Sequence, residues 1–194
     1  MQKIIHQAMQ DGIDLRQQCM QTLPDILGEA GDMLVQCLRS GGKVLACGNG
    51  GSAADAQHFA AELVNRFEIN RPGMAAVALT HDASVITSIA NDFSFAQIFS
   101  RQVEALGRKG DILLAISTSG ASPNVCEAAD MAATIGMRTI ALTGKDGGTL
   151  GSRASVDLNI NIPHSSTARI QEMHITCLHI LCSLVDNTLF GGES

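Results

Sequence analysis

No tryptophan or tyrosine occurs in the 194 residues, and phenylalanine occurs only six times, so the chain offers no aromatic platform on which nucleic-acid bases could stack. Basic residues are scarce too. Thirteen Lys and Arg against 19 Asp and Glu give a formal net charge of -6, which leaves no phosphate-neutralising stripe and disfavours direct nucleic-acid binding. Uninterrupted apolar runs fall far short of the ~20 residues that a membrane-spanning helix needs. The opening MQKIIHQAMQDG is broken by Gln, His and Asp too early for the apolar stretch of a signal sequence. These absences point to a soluble, cytosolic chain with no membrane partner. The six cysteines, Cys19, Cys37, Cys47, Cys126, Cys177 and Cys182, form no CxxC pair. They read as reduced core residues, and the alternative of a thiolate zinc site has no supporting spacing.

A hydrophobic content of 45% with 16% charged residues lies outside the composition of disordered chains and suffices for one sizeable core. A single domain over 1–194 is expected. Ile5, Met9, Ile13 and Met20 recur at near-helical spacing, and after Leu23-Pro24 a second stripe carries Ala30, Leu34, Cys37 and Leu38. Residues 1–40 therefore form a helical arm whose stripes either cover the domain's own sheet or pair with another copy of the chain.

From residue 41 onward the pattern alternates. KVLAC, AAVAL, DILLAIS, TIALT and the alternating Val156, Leu158, Ile160 and Ile162 are short strand-like runs separated by helix-length segments. Such spacing needs crossover connections, so the prediction is an α/β fold: an open parallel sheet of about five strands, flavodoxin-like, sandwiched by helices. A last helix over about 166–187 is apolar nearly all round, and the loop near 144–153 is the best candidate for a mobile segment.

Ligands of open parallel sheets bind beyond the carboxyl ends of the strands, and two loops there have suitable chemistry. Gly48-Asn49-Gly50-Gly51-Ser52 follows a strand and opens a helix that Ser52 can cap. It reads as an anion site, as a tight turn, or more loosely as a dinucleotide loop, since Gly48, Gly50 and Ala53 fit G-x-G-x-x-A; a Walker loop is excluded because no Gly-Lys-Ser/Thr follows. Ser117-Thr118-Ser119-Gly120, with Ser122, offers hydroxyls and amides without a fixed cation, which suits the phosphate of a small molecule.

His58 and Glu62, four apart on one helix face, can share a metal, divide acid and base roles, or belong to a solvated surface. In the final helix Gln171 and His179 are eight apart, about 80° around and ~12 Å along an ideal helix, so convergence on one ion needs long reach. His174 competes with them by spacing.

The strings GKVLACGNGGSAADAQHFAAEL, SIANDFSFAQIFSRQV, GDILLAISTSG, ALTGKDGG and ARIQEMHI resemble the phosphoheptose isomerases, of the sugar isomerase (SIS) fold group, from about Gly42 to Phe190. The resemblance implies a homotetramer that interconverts sedoheptulose 7-phosphate and D-glycero-D-manno-heptose 7-phosphate, for the heptose of a Gram-negative lipopolysaccharide core. It implies substrate contacts at Asn49, Gly50, Gly51, Glu62, Asn91, Asp92, Ser117, Thr118, Ser119, Ser122 and Gln171. It also implies one zinc per subunit on His58, Glu62, Gln171 and His179, with Glu62 and His179 as the catalytic pair.

A similar scaffold occurs in the bacterial adaptor that associates with the replication initiator, whose ending the string VDNTLF resembles. That relative replaces the carboxylate and the last histidine, both of which are kept here. The alternatives to an isomerase are therefore an initiator-binding adaptor and a sugar-phosphate sensor. Two departures from the isomerase pattern, Ala121 inside the hydroxyl loop and Ala168 before Arg169, bear on substrate orientation.

Overall fold

The structure, a computed structural model, describes residues 1–191. Its five strands are β1 (Val44–Gly48), β2 (Ala76–Ala78), β3 (Ile112–Ser117), β4 (Arg138–Gly144) and β5 (Leu158–Ile162), all parallel and ordered β2-β1-β3-β4-β5. β1 and β3 are buried at every residue and β4 at all but its first, as required of central strands covered on both faces. β5, LNINI, alternates buried and half-buried residues, the mark of an edge strand with one face on the core.

Among the described residues eight α-helices flank the sheet: α1 (Gln2–Thr22), α2 (Pro24–Arg39), α3 (Gly51–Val64), α4 (Ala83–Asp92), α5 (Ser100–Leu106), α6 (Pro123–Thr134), α7 (Gly148–Gly151) and α8 (Thr167–Phe190). One apolar cluster joins α1, α2, α3 and α8 to one face of the sheet, and a second joins α5, α6 and α7 to the other. The sequence pattern had given no element between β2 and β3, where the structure has α4, the 3-10 turn Phe95–Gln97 and α5.

α2 starts with Pro24 at its first turn, carries Asp25 there and Arg39 in its last turn, and buries Leu27, Ala30, Leu34 and Cys37. Gly31 lets it approach α8, where an added Cβ would lie 2.9 Å from Leu184 Cδ1. α1 behaves otherwise. Its stripe of Ile5, Met9, Ile13 and Met20 is more than half exposed and does not cover the sheet; Leu15 and Cys19 are the residues it buries.

α8 is long and apolar enough, by length and composition, to cross a membrane. Here it is a core helix, burying Ile170, Met173, Cys177, Leu178, Leu181, Cys182 and Val185 along with two polar residues, His174 and Asp186. All six cysteines are buried and unpaired. Burial pushes the thiols of Cys47, Cys177 and Cys182 up to about 12.

Strand order reverses between β1 and β3, which pair from Val44↔Ile112 to Gly48↔Ile116. The loops leaving these two strands therefore lie side by side at the crevice where such sheets bind ligands.

Candidate active site

The first wall of the crevice is backbone and hydroxyl. Gly48 must be glycine because a Cβ there would lie 2.6 Å from the Ser52 carbonyl oxygen. Gly50 takes φ +57° and is itself the N-cap of α3, whose first turn has no side-chain cap and no acidic residue, so an anion is favoured at this helix end. Ser52, expected as the cap, is instead buried inside the first turn.

Next to this loop, Ser117 Oγ lies 3.0 Å from Ser122 Oγ and 3.5 Å from Ser119 Oγ, while the Ala121 amide donates to Ser119 Oγ over 3.2 Å. Ser122 precedes α6 without capping it. Thr118 and Ser119 are half-buried, and Gly120, at φ +62°, packs against Gly147 and Gly148. The segment expected to be mobile holds the short helix α7 there, with the Leu150 amide donating to the Gly120 carbonyl over 2.7 Å.

The two loops are fastened together by a pair absent from the sequence reading. Asn49 and Asn124 exchange two amide hydrogen bonds of 2.9 Å, and Asn124 is 2% exposed at the start of α6. The only local signal for Asn124 is its place just after Ser122-Pro123.

The second wall is titratable. His58 and Glu62, one turn apart on α3, place Nε2 and Oε1 at 2.9 Å, and His179 of α8 brings its Nε2 to 3.3 Å from that of His58. The two imidazoles meet edge-on with centroids 5.0 Å apart, and Phe67 stacks on the other side of His179 at 5.5 Å. One ligand atom from each of His58, Glu62 and His179 lies within 4.8 Å of the others, a potential metal-holding group that contains no cysteine. Two imidazole nitrogens and a carboxylate oxygen suit zinc, and two ligands about 2.0–2.1 Å from a tetrahedral ion stand about 3.3 Å apart, matching the two imidazoles. The donor set therefore fits the ion.

The remaining expected residues fall in different places. The Gln171 amide lies against Gly51, where it leaves no room for a Cβ. Gln171 thus reaches the start of α3, the helix that carries His58 and Glu62. Asn91 and Asp92 end α4, both exposed, with Asn91 donating to Asp92 over 2.8 Å; α4 packs on the 3-10 turn and, through Ile86, Ile89 and Ala90, on the second apolar cluster. His174, the competing histidine, is fully buried, its Nε2 2.9 Å from the Thr143 carbonyl, and burial lowers its pKa to about 4. It is a structural residue.

Asp55, on α3 one turn before His58, has a buried Oδ2 with no partner among the described residues. Burial raises its pKa to about 6, against the pull of His58. Neither Asp55 nor Arg71, which is buried beside Pro72 and Gly73, carries a local mark in the sequence.

A SIS-domain family model matches residues 9–144. A phosphoheptose isomerase of Shewanella sediminis is 55% identical over 174 residues, 89% of this chain and 88% of that protein. One from Halorhodospira halophila is 52% identical over 97% of this chain and 96% of its own length. The solved structure of the Neisseria gonorrhoeae phosphoheptose isomerase superposes with a TM-score of 0.90 at 46% identity, covering 96% of this chain and 98% of that one. With its strand order, its crevice loops and relatives alike over nearly their whole lengths, this chain belongs to the phosphoheptose isomerase family.

Proposed function

We propose that this chain interconverts sedoheptulose 7-phosphate and D-glycero-D-manno-heptose 7-phosphate through a cis-enediol, with Glu62 and His179 as the proton-transferring pair. The observation that carries the assignment is the meeting of a carboxylate and two imidazoles from two helices, at 2.9 and 3.3 Å, one of those helices being the one that the glycine loop opens.

In the ketose-to-aldose direction, Glu62 takes a proton from C1 while His179 delivers one to the oxygen on C2, giving the enediol. His179 then recovers the proton from the oxygen on C1, and Glu62 returns its proton to C2. Each transfer contributes about 10² to 10⁴-fold. The phosphate sits on Ser117, Thr118, Ser119 and Ser122, with Asn49, Gly50, Gly51 and Gln171 along the carbon chain, so anchoring the far end converts binding into positional advantage. Asn91 and Asp92 complete the substrate contacts that the family pattern implies.

His58, Glu62 and His179, with Gln171 as the fourth ligand that the family pattern implies, would hold one zinc per subunit. When bound, the ion supplies Lewis-acid stabilisation of the developing oxyanion. A carboxylate engaged by a cation is a weaker base, so metal content and rate need not rise together. Chelation followed by assay separates the roles: loss of turnover, restored by zinc, supports a catalytic ion, and full activity without metal eliminates it.

The exposed apolar stripe of α1 supports assembly of several copies, and we assign the homotetramer and a cytoplasmic location on the family pattern. Turnover of sedoheptulose 7-phosphate by the purified protein tests the function. Binding without turnover would favour a sensor, and capture of the replication initiator without turnover an adaptor.

A further inference from the structure

The segment between α3 and β2 crosses the outer end of the reactive wall and binds both helices that build it. Arg71 is at its centre. Its side chain is 0% exposed and its Nε donates to Asp186 Oδ1 of α8 over 2.6 Å, the carboxylate being 1% exposed. Nη2 donates to the carbonyl of Glu62 and Nη1 to that of Leu63, both over 2.9 Å, with a further bond from Nη1 to the Pro72 carbonyl. The Ile69 amide takes the other Asp186 oxygen at 3.3 Å, and the Phe190 ring lies 5.8 Å from the guanidinium carbon.

α3 has no basic residue in its last turn, so this guanidinium supplies a cation at that helix end and a donor to the Glu62 carbonyl, while the Leu63 carbonyl it also meets accepts from the Met74 amide as well. Asp186 follows His179 by seven residues on α8, two turns on nearly the same face. One planar group thus grips the backbone of Glu62 and the helix face that presents His179. A buried ion pair is often no more stabilising than an apolar pair of the same volume; what the guanidinium fork adds is several bonds of fixed direction.

We propose that Arg71, acting through Asp186, is a positioning residue that sets the separation of Glu62 from His179; the proposal rests on the assignment of these two as the proton-transferring pair. The hydrogen bonds of Arg71 go to Asp186, Glu62, Leu63 and Pro72 and none to the cradle, so its loss acts on turnover and spares substrate binding.

The test compares Arg71→Lys, which keeps a charge for Asp186 but not the fork, with the double variant Arg71→Leu/Asp186→Leu, which removes both charges together. Rates are normalised to folded protein, and Glu62→Gln is assayed alongside. In both Arg71 variants kcat should fall about tenfold to a hundredfold, as expected for a misplacement of about 1 Å, with KM changed less than twofold. The imidazole resonances of His58 and His179 in long-range ¹H–¹⁵N spectra should shift in both. A residue that only stabilises the fold would lower Tm and leave kcat per folded subunit intact. Wild-type kcat together with unmoved imidazole signals in either variant overturns the proposal. Should Glu62→Gln itself retain normal turnover, the acid-base assignment fails instead; the imidazole shifts still report whether Arg71 sets the geometry.

Discussion

The two walls of the crevice are built on opposite principles. The cradle of Asn49, Ser117, Ser119, Ser122 and Asn124 satisfies its polar atoms by bonding within itself, and its shape needs glycine twice, at Gly48, where a Cβ would strike Ser52, and at Gly120, where φ is +62°. The reactive wall consists of side chains on two helices far apart in sequence, with His58 46% exposed at the side chain and Glu62 25%. A rigid uncharged wall suits a ligand group that must stay put, and an accessible titratable wall suits protons that must move. Binding and chemistry should therefore separate under mutation.

Glu62→Gln sets that separation most severely. It should lower kcat by about 10² to 10⁴-fold and move KM by no more than a few-fold, measured by steady-state turnover with folding checked by circular dichroism. An equal loss in substrate affinity would break the comparison.

His174 tests whether the reactive wall depends on its own anchor to the sheet. Its folded pKa of about 4 lies below the ordinary histidine value, so the unfolded chain takes up the proton first and stability falls as pH drops from about 6.5 toward 4. The loss attributable to this group is about 3 kcal/mol at the low end. Asp55 works the other way: its pKa, raised to about 6, makes its contribution largest below the ordinary carboxylate range and removes it as pH rises through 6. In urea titrations across this range His174→Gln should flatten the acid loss, and Asp55→Asn should steepen it.

The smallest effect belongs to the cradle. Ser122→Ala removes one hydroxyl of several and should raise KM about tenfold with kcat within about threefold, on the scale of one hydrogen bond to a charged group. A fall in kcat with unchanged KM would place Ser122 in the chemical step and erase the division between the walls.

Much of this could be read from the sequence because it is local. The apolar runs of β1, β3 and β4 gave the sheet, and the spacing of His58 and Glu62 put them on one face of α3. What escaped was tertiary. Arg71 and Asp186 are 115 residues apart, and a charged residue beside Pro72 and Gly73 carries the marks of an exposed turn. The 3.6-residue rhythm of Ile5, Met9 and Ile13 is real, but periodicity does not say which partner a stripe meets, and here it is not the chain's own sheet. α4 and α5 went unread because their helices are short. His179 needed the family resemblance, since nothing near it in sequence marks it as more than a core histidine, and the placement of Gln171 against Gly51 depends on how α3 and α8 run beside each other.

Burial of all six sulfhydryls makes the native molecule nearly silent to alkylating reagents, and those of Cys47, Cys177 and Cys182, held up to about 12, offer almost no thiolate at neutral pH. Each opening of the sheet or of α8 uncovers several at once, so the rate of iodoacetamide incorporation becomes an internal clock for unfolding in a chain with no tryptophan or tyrosine to report it by fluorescence.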